Sequence, residues 1–186
     1  MERVYVAEPV YDEFLNMLLA KTSALRNGMD SGHDYSCEVR SMTTAQQLAI
    51  VSRHVDDAVI KGAKVLVGGK RATPDGGLSY EPTVLVDVNH DMDCMRDETF
   101  GPTLPVMAVR DAAEAIEKAN DSRFGLSGSI WTRDNAKAMA LAKQMNTGLV
   151  NINNVIMGCL QLALPMGGWN DSGLGLRSGG AIGIRK

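Results

Sequence analysis

No run of about eighteen apolar residues occurs in the chain, so nothing in it reads as a membrane-spanning helix. The opening Met1-Glu2-Arg3-Val4-Tyr5-Val6 lacks the basic-then-apolar pattern of a secretory leader. Cysteine is scarce: Cys37, Cys94 and Cys159 are odd in number, far apart and without CxxC spacing, which excludes a disulfide framework and fits a reducing compartment. The cytoplasm is the expected location. His33, His54 and His90 are isolated and lack metal-ligand spacing, so no metal is expected. Charge is not concentrated either. A net charge of -3 with scattered lysines and arginines leaves no footprint for nucleic acid or an anionic membrane. Small neutral or acidic metabolites remain as partners.

What is present is the composition of a folded protein, with 45% hydrophobic and 22% charged residues over 186 positions. That length favours one ordinary domain. The eleven methionines suit an adaptable core. Apolar periodicity predicts a strand over 3–7, a helix over 11–25, a helix over 43–61 capped by Thr43 or Thr44, and strands over 64–67 and 83–88. Glycine- and proline-containing turns at Gly62, Gly68-Gly69 and 74–77 punctuate them. A regular alternation follows: strand 104–109, helix 112–120, strand 126–132, helix 135–145, strand 148–153. Alternating strands and helices imply an α/β fold with a parallel sheet and right-handed crossovers. The nearly continuous apolar strands 104–109 and 149–152 call for helices on both faces. Beyond Asn153 the chain becomes a long glycine-punctuated loop, of the kind that lines sites in α/β proteins.

One pentapeptide draws attention within this frame, Glu98-Thr99-Phe100-Gly101-Pro102. A carboxylate only accepts hydrogen bonds, so it can receive one from each of the two adjacent hydroxyls of a ribose. Phe100 is one of three phenylalanines, and Gly101-Pro102 is a stiff turn leading directly into a buried strand. Such a turn can present the aromatic beside the carboxylate, toward the nicotinamide side of a cofactor. Taken alone, a glutamate in Arg96-Asp97-Glu98 also reads as a solvated charge.

Further blocks follow the same order as in a known family. They are Gly62-Ala63-Lys64-Val65-Leu66-Val67-Gly68-Gly69, Glu81-Pro82-Thr83-Val84-Leu85, Asn120-Asp121-Ser122-Arg123-Phe124-Gly125-Leu126, Gly148-Leu149-Val150-Asn151-Ile152-Asn153, and Pro165-Met166-Gly167-Gly168-Trp169 with Ser172-Gly173-Leu174-Gly175. With Glu98 to Pro102 they resemble the aldehyde dehydrogenases over essentially the whole chain. The resemblance implies the C-terminal portion of the catalytic domain over 1–186, with the Rossmann-like coenzyme domain outside it. It implies an NAD(P)-dependent, oligomeric oxidoreductase acting on a small aldehyde, with NAD or NADP as cofactor and a cysteine thioester on the way to the carboxylic acid.

By this resemblance Glu98 binds the nicotinamide ribose and Phe100 packs near the nicotinamide. Gln47, fifteen residues before Gly62, matches a helix position near the same ribose, and an exposed helical glutamine is the competing reading. Ile156 and Met166 fall where the family lines its aldehyde tunnel, with core packing as the alternative. The family's Gly-Gln-x-Cys nucleophile segment corresponds to a position before Met1, so the chain alone is expected to be inactive. Cys159, beside the tunnel loop, is the one local cysteine with a conceivable role. The segment between Val155 and Pro165 is long and apolar, is similar to succinate-semialdehyde dehydrogenase-type enzymes, and holds no arginine for a substrate carboxylate. At 37–41, Cys-Glu-Val-Arg-Ser stands where relatives have a Gly-Pro turn. Gly173 to Gly179 looks like a dinucleotide fingerprint but carries Ser178 at the third glycine position. The competing reading is a non-catalytic folding or interaction module from a truncated reading frame.

Overall fold

The computed structural model describes residues 1–28, 36–72, 77–175 and 179–181. His33 and Ser178 lie outside the described residues. The chain divides into two compact units, Met1–Arg110 and Asp111–Lys186, where length alone favours one domain.

The first unit holds β1 (Val4–Ala7), α1 (Glu8–Ser23), α2 (Ala45–Ile60), β2 (Lys64–Val67), β3 (Thr83–Val86), α3 (Asp93–Arg96) and β4 (Thr103–Val109). Its strands form one sheet in the order β1-β4-β3-β2. β4 runs parallel to both β1 and β3, as the apolar pattern predicts. β2 is antiparallel to β3, with a register shift between Val65 and Val67. The sheet is therefore parallel-dominated rather than parallel throughout. A short apolar run reads the same in either pairing direction and does not encode it.

Period-two alternation sends side chains to opposite faces, and each face has its own helices. Val6, Val84, Val86 and Val106 meet Tyr11, Leu15, Leu18 and Leu19 of α1 on one side. Leu85 joins Leu48, Val51, Val55 and Ala58 of α2 and Met92 and Met95 beside or within α3 on the other. β3 is buried along its whole length because both layers cover it. Only some methionines fill core: Met92 and Met95 are among the largest fully buried side chains, whereas Met17, Met139 and Met157 are exposed.

Both long helices of this unit differ in extent from the periodicity. α1 starts at Glu8 because Pro9 falls in its first turn, where a missing N–H costs no helical bond. α2 begins after Thr44, whose Oγ1 accepts the Gln47 N–H at 3.1 Å, as an N-cap should.

The second unit holds α4 (Ala112–Asn120), β5 (Phe124–Gly125), β6 (Ser127–Ile130), α5 (Asn135–Ala142), β7 (Leu149–Ile152), α6 (Met157–Leu160) and β8 (Trp169–Asn170). β6 and β7 pair in parallel, while β5 and β8 form a short antiparallel ladder. α4 spans the predicted residues, capped by Asp111, whose carboxylate accepts the Ala113 and Glu114 N–H groups at 2.9 Å. α5 ends at Ala142, three residues before the predicted end, and the long glycine-rich loop contains α6 and β8. No helix among the described residues is long and apolar enough to cross a membrane.

Candidate functional site

In the first unit the segment between α3 and β4 is held from three directions. Thr99 is 2% exposed, whereas the Phe100 ring beside it is 70% exposed. Phe100 has φ +50°, in the left-handed region that side chains ordinarily avoid. The Glu2 carboxylate accepts the Thr99 N–H at 2.9 Å and the Phe100 N–H at 3.3 Å. From the opposite side the Gln47 amide donates to the Thr99 carbonyl at 2.5 Å and the Phe100 carbonyl at 3.4 Å.

Thr44-x-x-Gln47 has the sequence form of a capping box, but only half of the box forms. Thr44 caps the helix, and the Gln47 side chain is directed to the turn instead.

His54 makes the third contact, with its Nδ1 3.0 Å from the Thr99 Oγ1. Its Nε2 lies 3.1 Å from the Arg53 guanidinium, which can only donate. Nε2 therefore accepts, and Nδ1–H donates to the threonine hydroxyl. Burial, reinforced by Arg53, holds His54 below the usual imidazole range, against the upward pull of Asp93, Asp97 and Asp57. His54, Asp93 and Asp97 also form the one cluster of metal-ligating type found among the described residues. Protein cations already occupy it: Arg53 on His54, and Arg96 and Lys61 at 3.3 and 3.9 Å from Asp93.

Glu98 is exposed, and among the described residues its carboxylate has no hydrogen-bond or ion-pair partner. A shallow depression of about 430 Å³ opens beside Phe100, lined by Met1, Glu2, Met42, Phe100, Gly101 and Pro102. Gly101 sits where a Cβ would stand 2.4 Å from the Val51 Cγ2, so the turn packs directly on α2. Gln47 is thus brought to the Glu98–Phe100 segment, with its side-chain amide donated to that turn. No local pattern points to Glu2 or His54, because both reach Thr99 only through the fold, across 97 and 45 residues.

In the second unit Ile156 is exposed and precedes α6, and Met166 is half-buried. Asparagines fix the chain around Ile156. Asn154 Oδ1 accepts the Ile156 and Met157 N–H groups at 3.0 Å, and Asn151 Oδ1 accepts that of Gly158 at 3.0 Å. The glycine pair Gly167-Gly168 passes close to Gly148: a Cβ on Gly148 would fall 1.6 Å from the Gly167 carbonyl oxygen. Asn120 ties the end of α4 to the loop after α5, donating to the Gln144 carbonyl at 2.8 Å and accepting the Asn146 N–H at 2.7 Å. These motif residues shape backbone. The apolar run after Val155 stays on the surface, with Leu160 and Leu162 both exposed.

Among the cysteines, Cys94 is buried in the first unit's core, and burial pushes its thiol up to about 12. Cys37 is half-buried. The side chain of Cys159 lies outside the described residues.

The same fold is found in the crystal structure of succinate-semialdehyde dehydrogenase from Burkholderia pseudomallei, with a TM-score of 0.90 and 34% identity over 100% of this chain and 37% of that one. The chain belongs to the aldehyde dehydrogenase family, whose sequence model matches residues 1–186. A Mycobacterium ulcerans (strain Agy99) protein with the provisional name succinate-semialdehyde dehydrogenase (NADP+) 2 is 41% identical over 96% of this chain and 34% of its own length. The 4,4'-diapolycopene aldehyde oxidase of a Methylomonas species is 46% identical over 99% of this chain and 33% of its own. The chain thus spans about a third of the length of the curated relatives it matches.

Proposed function

We propose that residues 1–186 form the C-terminal part of the catalytic domain of an NAD(P)-dependent aldehyde dehydrogenase, with Glu98 and Phe100 facing the nicotinamide side of the coenzyme. The observation that carries this reading is the pinned turn: a carboxylate with no partner among the described residues stands beside an exposed aromatic whose backbone is held in the left-handed region. These residues suit the coenzyme. Glu98 offers acceptors to two ribose hydroxyls, and Phe100 offers a flat apolar face. NADP+ appears in the name of the Mycobacterium relative, and either nicotinamide coenzyme is compatible with a ribose contact.

When bound, the coenzyme supplies the hydride acceptor for the conversion of aldehyde and water to carboxylic acid. The thiolate that forms the thioester belongs outside 1–186 in this reading, because no Gly-Gln-x-Cys segment of the family's kind occurs within these residues. Residues 1–186 alone are accordingly inactive. Ile156 and Met166 line the aldehyde path in this proposal, within a cytoplasmic homo-oligomer. Succinate semialdehyde and a long apolar aldehyde are the first substrates to assay, the second favoured by the exposed apolar residues between Val155 and Leu164.

The test is steady-state kinetics on the full-length protein carrying these residues. Glu98→Ala is expected to lower kcat/KM for the coenzyme about tenfold to a hundredfold, the loss of charge-assisted hydrogen bonds. An unchanged kcat/KM would refute the assignment.

A further inference from the structure

We propose that Glu2 is the positioning residue of this turn, and that its carboxylate sets the direction in which Glu98 and Phe100 are presented; the inference rests on the coenzyme reading above. Successive backbone N–H groups with one residue in the left-handed region form a concave anion cradle. Thr99 and Phe100 make such a cradle, and the occupant is not a ligand but the chain's own Glu2.

Each polar atom of the two residues is accounted for. The N–H groups go to Glu2, the carbonyls to Gln47, and the Thr99 hydroxyl to His54. The contacts on Thr99 and Phe100 come from separate parts of the fold, Glu2 just before β1 and Gln47 in the first turn of α2. Removing one leaves the peptides able to rotate about the other.

Phe100 needs such a hold, because a residue with a Cβ leaves φ +50° for the right-handed or extended regions when nothing restrains it. Relaxation there would turn the ring and, through the shared peptides, swing the Glu98 backbone. Glu2 also borders the depression beside Phe100, where a free carboxylate would read as a base or a ligand for substrate. Its two oxygens are committed instead, Oε2 to Thr99 and Oε1 to Phe100. Its role is therefore exerted through the turn.

The full-length protein tests this with Glu2→Ala, Glu2→Gln and Glu98→Ala. Hydrogen exchange is read at the Thr99, Phe100 and Val106 amides, and KM and kcat are measured with NAD+ and NADP+. In Glu2→Ala, exchange at Thr99 and Phe100 is expected to accelerate at least about tenfold with Val106 unchanged, and coenzyme KM to rise about tenfold with little change in kcat. Glu2→Gln keeps one acceptor oxygen and is expected to lie between Glu2→Ala and the parent in both readouts.

Unchanged protection of both amides in Glu2→Ala would overturn the proposal. So would loss of protection with an unchanged KM while Glu98→Ala raises it, which leaves the coenzyme reading standing. If Glu98→Ala is also silent, the coenzyme reading fails and the proposal fails with it.

Discussion

Replacing Gly101 by alanine should disturb both the fold and the turn, by an amount set by one contact. The new Cβ would stand 2.4 Å from the Val51 Cγ2, 3.3 Å from its Cγ1 and 3.4 Å from its Cβ. Carbon atoms pack at about 3.5–4.0 Å, so the methyl overlaps the valine by more than about 1 Å. Val51 cannot swing aside easily. It is β-branched, sits within α2 and is wholly buried in the core cluster.

Overpacking of this kind costs about 1–3 kcal/mol. For a domain of this size that corresponds to a fall in Tm of about 2–12 °C. Val51→Ala removes the obstruction, at its own cost of about 2 kcal/mol in lost burial and cavity. In the double variant the two effects should therefore fall short of their sum by at least about 1 kcal/mol. Thermal or urea unfolding of the four proteins gives the coupling, and coenzyme KM follows the turn. Gly101→Ala should raise KM, and adding Val51→Ala should lower it again. Strict additivity, or a neutral Gly101→Ala, would show that the turn does not pack on α2 in this way.

Two other expectations concern groups near that turn. His54 is held neutral below the ordinary imidazole value of 6.5, so the unfolded chain takes up its proton first as pH falls. Stability should decline from about pH 6.5 downward and level off below the lowered folded value, and His54→Gln should remove that slope; a urea midpoint independent of pH between 7.5 and 5.5 would contradict it. The Cys94 thiol, pushed up to about 12 by burial, should react with a disulfide reagent only after unfolding, well behind half-buried Cys37. Rapid labelling of Cys94 in the folded protein would contradict its placement in the core.

Much of the fold was legible because its signals are local. Val84 and Val86 alternate with Leu85 so that both faces of β3 are apolar, and both faces prove to be covered. Thr44 and Asp111 are cap residues by type, and both cap. Direction was less legible: the apolar run in β2 is the same whether it pairs parallel or antiparallel. α3 is four residues long, too short to show a period, and so leaves no pattern to read.

The candidate site divides in the same way. Glu98 and Phe100 stand out because a charge and an aromatic directly precede a stiff Gly-Pro turn. Glu2 and His54 look like ordinary residues of a chain terminus and a helix, and only tertiary contact with Thr99 gives them their role.

A crystal structure of the full-length protein with bound NADP+ would examine the assignment of this turn most directly. The expected result is the Glu98 carboxylate within hydrogen-bond reach of both hydroxyls of the nicotinamide ribose, the Phe100 ring against the nicotinamide, and Glu2 still on the Thr99 and Phe100 amides. A bound coenzyme whose nicotinamide ribose contacts neither Glu98 nor Phe100 would contradict it.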